Sequence, residues 1–176
     1  MNSKLTLRRL QAKDEDAFLE AYQEFKDSGD FVFVSHYKEG MDFLELIHLL
    51  ENQEKGVHLP EGYVPSTFLF GFVGPKLVGR AMIRHKLNDF LRRIGGHIGY
   101  GVVLSERGKG YATEMLKKSL TFANSLGLEQ VLVTCDEGNF PSQKIIENTG
   151  GIFEGYSNQG ETLPRKCLYW ISTVGV

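Results

Sequence analysis

Cysteine is scarce in this chain, as are tryptophan and proline: its 176 residues include 2 Cys, 1 Trp and 5 Pro. Two cysteines, Cys135 and Cys167, exclude a disulfide framework and a cysteine-rich metal cluster, so no metal is expected. No stretch approaches the ~20 consecutive apolar residues that span a bilayer, and the polar N-terminus lacks the apolar core of a signal peptide. A cytoplasmic protein with no membrane attachment is expected. Neither sign of charge dominates, since 20 Lys and Arg against 22 Asp and Glu give 20 − 22 = −2. That balance argues against nucleic acid, whose phosphates require a basic surface. Repeats and low-complexity segments are missing too.

What is present suits an ordinary globular chain, 41% hydrophobic and 24% charged. Its length predicts a single domain over 1–176, large enough for a continuous core and a cleft. The charge is unevenly spread. Residues 1–64 hold 13 acidic and 7 basic residues, a balance of −6, whereas residues 65–176 hold 9 and 13, a balance of +4. The acidic third could attract a cationic ligand such as an amine, or it could simply be a solvated face; both readings stay open.

The most informative stretch is His97 to Leu120. An apolar β-branched run (Ile98, Val102, Val103, Leu104) leads into Arg107-Gly108-Lys109-Gly110. A helical period follows, with Ala112, Met115, Leu116, Leu120 and Ala123 on one side. A strand, a glycine turn and a helix start place free backbone N–H groups and the positive helix end around one concavity, which suits phosphate. Gly108 and Gly110 allow close approach to the main chain, and Arg107 and Lys109 add charge. A P-loop is excluded because Lys109 is followed by Gly110, and a dinucleotide fingerprint because its sixth place holds Thr113.

Along the rest of the chain, Leu5–Arg8 alternates like a first strand, and a helix is predicted from Asp14 through Phe25 until Ser28-Gly29-Asp30 breaks it. A second helix is expected from Met41 to Glu51, with His48 on its surface, followed by an irregular loop over 52–65. Strands Thr67–Val73 and Leu77–His85 are joined by Gly74-Pro75-Lys76, and a linker Asn88–Gly96 leads to the central stretch. Gln130–Cys135 reads as a buried strand parallel to the one before the turn. A short helix follows from Pro141 to Gly150, then a closing strand pair, Ile152–Tyr156 and Lys166–Ile171. The fold class is therefore α/β (α+β): a mixed, mostly antiparallel sheet with one β-α-β core and flanking helices. The exposed edge of the closing strands would allow a homodimer.

Arg107, Gly110 and Ala112 form R-x-x-G-x-A between a strand and a helix, which resembles motif A of the GNAT superfamily of acyl-CoA N-acyltransferases. Asn139-x-x-Ser142 with Glu147, Asn148 and Gly150 is similar to that family's motif B, and the element order is the family's over most of the chain. The resemblance implies acetyl-CoA as co-substrate, bound by Val102, Val103, Leu104, Arg107, Gly108, Lys109, Gly110, Tyr111, Ala112, Thr113, Asn139 and Ser142. It also implies transfer of acetyl to a primary amine of a small molecule or peptide by direct attack. The pantetheine would lie like an added strand beside Val102–Leu104, where two parallel strands splay, with a backbone N–H near Val102 polarising the thioester carbonyl. Gly99 and Gly101 could mark a bulge or simply close packing.

Two positions depart from the family. Ile146 stands where a Tyr commonly protonates the leaving thiolate. His97 stands where many relatives carry a Glu as general base, a task an imidazole also suits; a partly exposed strand histidine with no role is the equal alternative. Tyr100, Tyr156 and Tyr169 are alternatives for the acid, and Cys135 reads as a buried structural thiol. The missing Tyr leaves a second reading open, a non-catalytic acyl-CoA sensor of the same fold.

Overall fold

The computed structural model describes residues 4–28, 32–160 and 162–175, so the Gly29-Asp30 part of the expected helix break lies outside the described residues. Its elements are β1 (Thr6–Arg8), α1 (Glu15–Ser28), α2 (Phe43–Lys55), β2 (Ser66–Val73), β3 (Lys76–Arg84), α3 (Asp89–Arg93) and β4 (Ile98–Val102). Then come α4 (Tyr111–Ser125), β5 (Gln130–Asp136), α5 (Phe140–Asn148), β6 (Ile152–Ser157) and β7 (Lys166–Ser172). The strands form one seven-stranded sheet in the order β1-β2-β3-β4-β5-β7-β6. All neighbours are antiparallel except β4 and β5, the ends of the single β-α-β unit. No helix among the described residues is long and apolar enough to cross a membrane.

Local chemistry explains the element ends. The Asp42 carboxylate accepts the Glu45 N–H at the start of α2, and Gly56 ends that helix at φ 73°, a backbone conformation glycine adopts without penalty. The helix therefore runs four residues past the expected Glu51. Asp14 starts no α-helical turn. It is the buried last residue of a short 3-10 turn, Ala12–Asp14, and its carboxylate takes both ends of the Arg8 guanidinium (2.6 and 2.8 Å) and the Gln11 N–H (2.8 Å). Those bonds hold the Asp14 carboxyl below its usual range, the Arg8 hydrogen bond contributing most.

Part of the expected linker over 88–96 is the short helix α3. The Asn88 side chain accepts the Leu91 N–H at 2.9 Å to start it. Arg92 then reaches Glu154 of β6 through two bonds of 3.0 and 2.9 Å, with its guanidinium 4.8 Å from the centre of the Trp170 ring.

Strand alternation sends side chains to two cores, one on each sheet face. On one face Val78, Ile83, Ile98 and Val102 pack against Met115, Leu116 and Leu120 of α4 and Ile146 of α5. On the other, Phe68, Phe70 and Phe72 meet Phe18 and Phe25 of α1 and Phe43, Leu46 and Leu50 of α2. Burying each of these large apolar side chains is worth about 1.5–3 kcal/mol. The two helical layers thus fix the sheet and leave the β4–β5 seam between them.

Candidate active site

Between the strands β4 and β5 one ladder pair forms, Ile98 opposite Val133. His97 pins the closed end of this seam. Its main-chain N–H donates to the Leu132 carbonyl at 2.6 Å, and its ring Nδ1 accepts the Leu132 N–H at 2.9 Å. The imidazole therefore stands in for a ladder carbonyl. Beyond Ile98 the strands are no longer paired, and a gap opens toward their C-terminal ends.

Hydrogen bonding to β3 sets which groups face the gap. The His97 carbonyl accepts from Arg84 N–H (2.7 Å) and Val103 N–H donates to the Val78 carbonyl (2.9 Å). Main-chain groups alternate sides along a strand, so Tyr100 and Val102 turn theirs the other way, toward β5. The Val102 carbonyl is taken by Arg107 Nε at 3.1 Å, which leaves its N–H for the gap. Within the expected binding edge, the strand ends at Val102, Val103 gives its N–H to β3, and exposed Leu104 opens a 3-10 turn. The β3–β4 register also runs without a shift, so Gly99 and Gly101 mark no bulge.

Past the gap, the chain turns through Arg107-Gly108-Lys109-Gly110, all exposed, into α4. Gly108 and Gly110 have φ of 77° and 84°, and a Cβ built on either would meet no atom within 4 Å. Gly110 is the N-cap of α4 and no side chain caps the helix. The first-turn N–H groups of Tyr111, Ala112 and Thr113 thus stand together with those of the glycine bend at the positive end of a 15-residue helix. A diphosphate fits this chemistry: a concave row of main-chain donors with no Cβ in the way.

The side chains around the bend brace it. Buried Glu106 accepts from Lys76 (2.7 Å) and Lys109 (2.8 Å), and both ammonium groups hold its carboxyl below the usual range. Lys109 thus offers an anion its main-chain N–H, while its ammonium is bonded to Glu106. Glu24 of α1 clasps Ser105 through the backbone N–H and the hydroxyl. The account predicts that Arg107→Ala weakens coenzyme A binding by about 1.5 kcal/mol, roughly tenfold, as for a charged hydrogen bond. Calorimetry measures this directly, and an unchanged Kd would remove Arg107 from the site.

Asn139 and Ser142 flank the gap from the β5 side. The Asn139 carbonyl oxygen accepts the Ser142 N–H at 3.2 Å and caps α5, leaving the Asn139 amino group exposed. The Ser142 hydroxyl lies 3.2 Å from the Tyr100 hydroxyl, a link from β4 to α5 along one side of the gap. Burial pushes the Tyr100 phenol up to about 12, so it keeps its proton at all ordinary pH. Ile146 is fully buried in the core. Tyr169 is buried as well, bonded to Glu147 at 3.0 Å, and Tyr156 lies half-exposed on the edge strand β6. Burial and the neighbouring Cys167 push the Cys135 thiol up to about 12, as expected of a structural cysteine.

His97 is 6% exposed, and burial helped by Arg84 and Arg92 pulls its pKa down to about 4. With Nδ1 accepting from Leu132, the neutral ring carries its proton on Nε2. Those bonds count against the general-base role that the sequence suggested.

On the α1–α2 face, beside the first free residue of β4, lies a cavity of about 360 Å³. Phe68, Met82, Phe90 and Leu91 supply its apolar wall, while Arg80, Arg84, Ser66 and Gln53 supply polar groups. Arg80 donates to the carbonyls of Phe33 (2.7 Å), Val32 (3.1 Å) and Gly99 (3.2 Å). Arg84 donates through one nitrogen to Gly95 (3.0 Å) and Gly96 (2.9 Å). Sequence reading singled out none of these residues. The available signal was Gln53, a polar residue at i+7 from Leu46 and i+3 from Leu50 on the inward stripe of α2.

The profile of the acetyltransferase (GNAT) domain matches residues 4–152. No curated protein sequence matches the chain. Among solved structures, a probable acetyltransferase is similar at 21% identity and a TM-score of 0.72, over 97% of this chain and 94% of that one. RimJ of Mycobacterium smegmatis in complex with CoA-disulfide is 19% identical with a TM-score of 0.67, over 96% and 81%. A Vibrio cholerae spermidine N-acetyltransferase SpeG variant is 18% identical with a TM-score of 0.64, over 98% and 95%. At these identities the likeness is one of fold.

Proposed function

The chain belongs to the GNAT acetyltransferases, and from that premise we propose that it moves an acetyl group from acetyl-CoA to a primary amine by direct attack in a ternary complex. One observation carries this reading: the uncapped glycine bend of α4 opens beside the place where β4 and β5 part. Acetyl-CoA supplies the activated acyl thioester. The protein's own part is to hold, aim and exchange protons.

The amides from Gly108 to Thr113, with Arg107, hold the diphosphate. Tyr100 and Val102 offer main-chain groups along the gap, and the Asn139 amino group reaches the same space from β5. The Val102 N–H is placed to donate to the thioester carbonyl oxygen, where negative charge develops during attack. Tyr100 is the proposed acid for the leaving thiolate, because its phenol carries a proton beside the gap and Ile146 has none to give. His97 acts as a positioning residue that keeps the closed end of the gap zipped.

The test is thiol release from acetyl-CoA when the protein is offered a panel of primary amines. Amine-dependent release is the expected result. Tight coenzyme A binding with no release from any amine would leave a non-catalytic sensor.

A further inference from the structure

The cavity beside β4 bears on the acceptor, and the inference rests on the acetyltransferase reading above. We propose that the cavity receives the acceptor, and that Arg84 selects an amine of amino-acid size: a small apolar body carrying a carboxylate.

Charge is the first argument. The lining contains two arginines and no aspartate or glutamate. Five acidic residues of the first third, Glu15, Asp16, Glu20, Glu45 and Glu51, lie exposed on α1 and α2. The acidic charge that could attract a cationic amine therefore has no counterpart in the cavity lining. A second ammonium on the acceptor would meet guanidinium groups instead. Those same charges favour the neutral form of an attacking amine, the form the reaction requires.

Arg84 is the second argument. One nitrogen serves the Gly95 and Gly96 carbonyls; Nε and the other terminal nitrogen make no hydrogen bond. Among the described residues no carboxylate lies within ion-pair distance of it. Burial lowers its pKa to about 10, so it remains a cation at neutral pH with donors to spare. A planar fork of this kind matches a carboxylate.

Gln53 is the third. Its Nε2 donates to the Ser66 hydroxyl at 2.5 Å, and its buried Oε1 is the one buried side-chain polar atom without a partner among the described residues. Turning the amide over lets Oε1 take the Ser66 proton and frees Nε2 as a donor instead. Ser66 lies opposite Arg84 in the β2–β3 register, so Gln53 and Arg84 serve the same end of the cavity.

Placement completes the case. Met82 lies opposite Gly99, the first β4 residue past the last β4–β5 pair, and is two residues from Arg84. Two strand residues span about 7 Å. A carboxylate on Arg84 thus leaves room for an amine a few bonds away at the mouth of the gap, with Phe68, Met82 and Leu91 covering the side chain between.

The experiment is calorimetry on the full chain with coenzyme A present, using matched pairs of ligands: phenylalanine and phenethylamine, leucine and 3-methylbutylamine, tyrosine and tyramine, with spermidine as polycation. At least one amino acid is expected to bind about tenfold or more tightly than its decarboxylated partner, as for a lost charged hydrogen bond. Arg84→Gln should abolish that difference while leaving coenzyme A affinity unchanged. No preference in any pair, tighter spermidine binding than any amino acid, or discrimination that survives Arg84→Gln would overturn the proposal. If Arg84→Gln does not fold, Gln53→Leu should weaken amino-acid binding several-fold, with a lower Tm because the buried Ser66 hydroxyl loses its partner; unchanged binding in a folded variant counts against the site. Amino-acid binding without thiol release from acetyl-CoA would reject the transferase reading and leave the pocket assignment standing.

Discussion

Tyr100→Phe is expected to lower kcat by about a hundredfold, the low end of the range for a positioned acid, because a thiolate is already a fair leaving group. The affinity for acetyl-CoA should stay within about threefold, since the contacts assigned to coenzyme A around Tyr100 are main-chain. The substitution removes one hydroxyl and the 3.2 Å link to Ser142 and leaves the ring packing in place. Stability should therefore fall by only about 1 kcal/mol, the usual worth of one hydrogen bond. Steady-state kinetics with acetyl-CoA varied at saturating amine separate the two effects. A kcat equal to that of the unaltered protein would show that the thiolate leaves unassisted and that Tyr100 merely ties β4 to α5.

His97→Asn should keep most of the turnover, whereas His97→Ala should cost substantial stability. The difference lies in the acceptor that the Leu132 N–H needs. Asparagine can offer its amide oxygen near the position of Nδ1; alanine leaves the buried N–H without a partner, at about 1–3 kcal/mol plus the lost packing against Trp170. The pH dependence of stability follows from the same ring. Burial lowers the His97 pKa from 6.5 to about 4, so the unfolded chain takes up the proton first as acid is added. The stabilisation is complete above pH 6.5 and is lost as the pH falls toward 4. At 1.36 kcal/mol per pH unit this amounts to about 2–3 kcal/mol between pH 6.5 and 4.5. Burial shifts His36 and His85 the same way, so only the difference between proteins isolates His97. Denaturant unfolding of His97→Asn should show a flatter acid limb than the parent. A hundredfold loss of turnover in His97→Asn, with stability kept, would restore the ring as the general base.

Much of this architecture was legible because its causes are local. The strands β2 and β3 with the turn between them, the inward stripes of α1 and α4, and the glycines at the bend each depend on a few neighbouring residues, and all are present in the fold. The bend itself was readable because positive φ and an uncapped helix start are properties of Gly108 and Gly110 alone. What escaped reading depends on distant partners. α3 is five residues long and is held partly by Arg92 reaching Glu154, sixty-two positions away. His97 took its role from Leu132, thirty-five positions along, and no spacing rule shows that a ring nitrogen will replace a ladder carbonyl. That the Lys109 ammonium would share Glu106 with Lys76, thirty positions from that carboxylate, no spacing rule shows. The cavity gathers Gln53, Ser66 and Arg84 from three elements, so only the assembled sheet could reveal it.

The most direct test follows main-chain amides by NMR as coenzyme A is titrated into 15N-labelled protein. The account predicts that the resonances of Gly108, Lys109, Gly110, Tyr111 and Ala112 shift together, along with those of Tyr100 and Val102 on the free edge of β4. Saturable binding that left those amides unmoved and shifted others instead would contradict it.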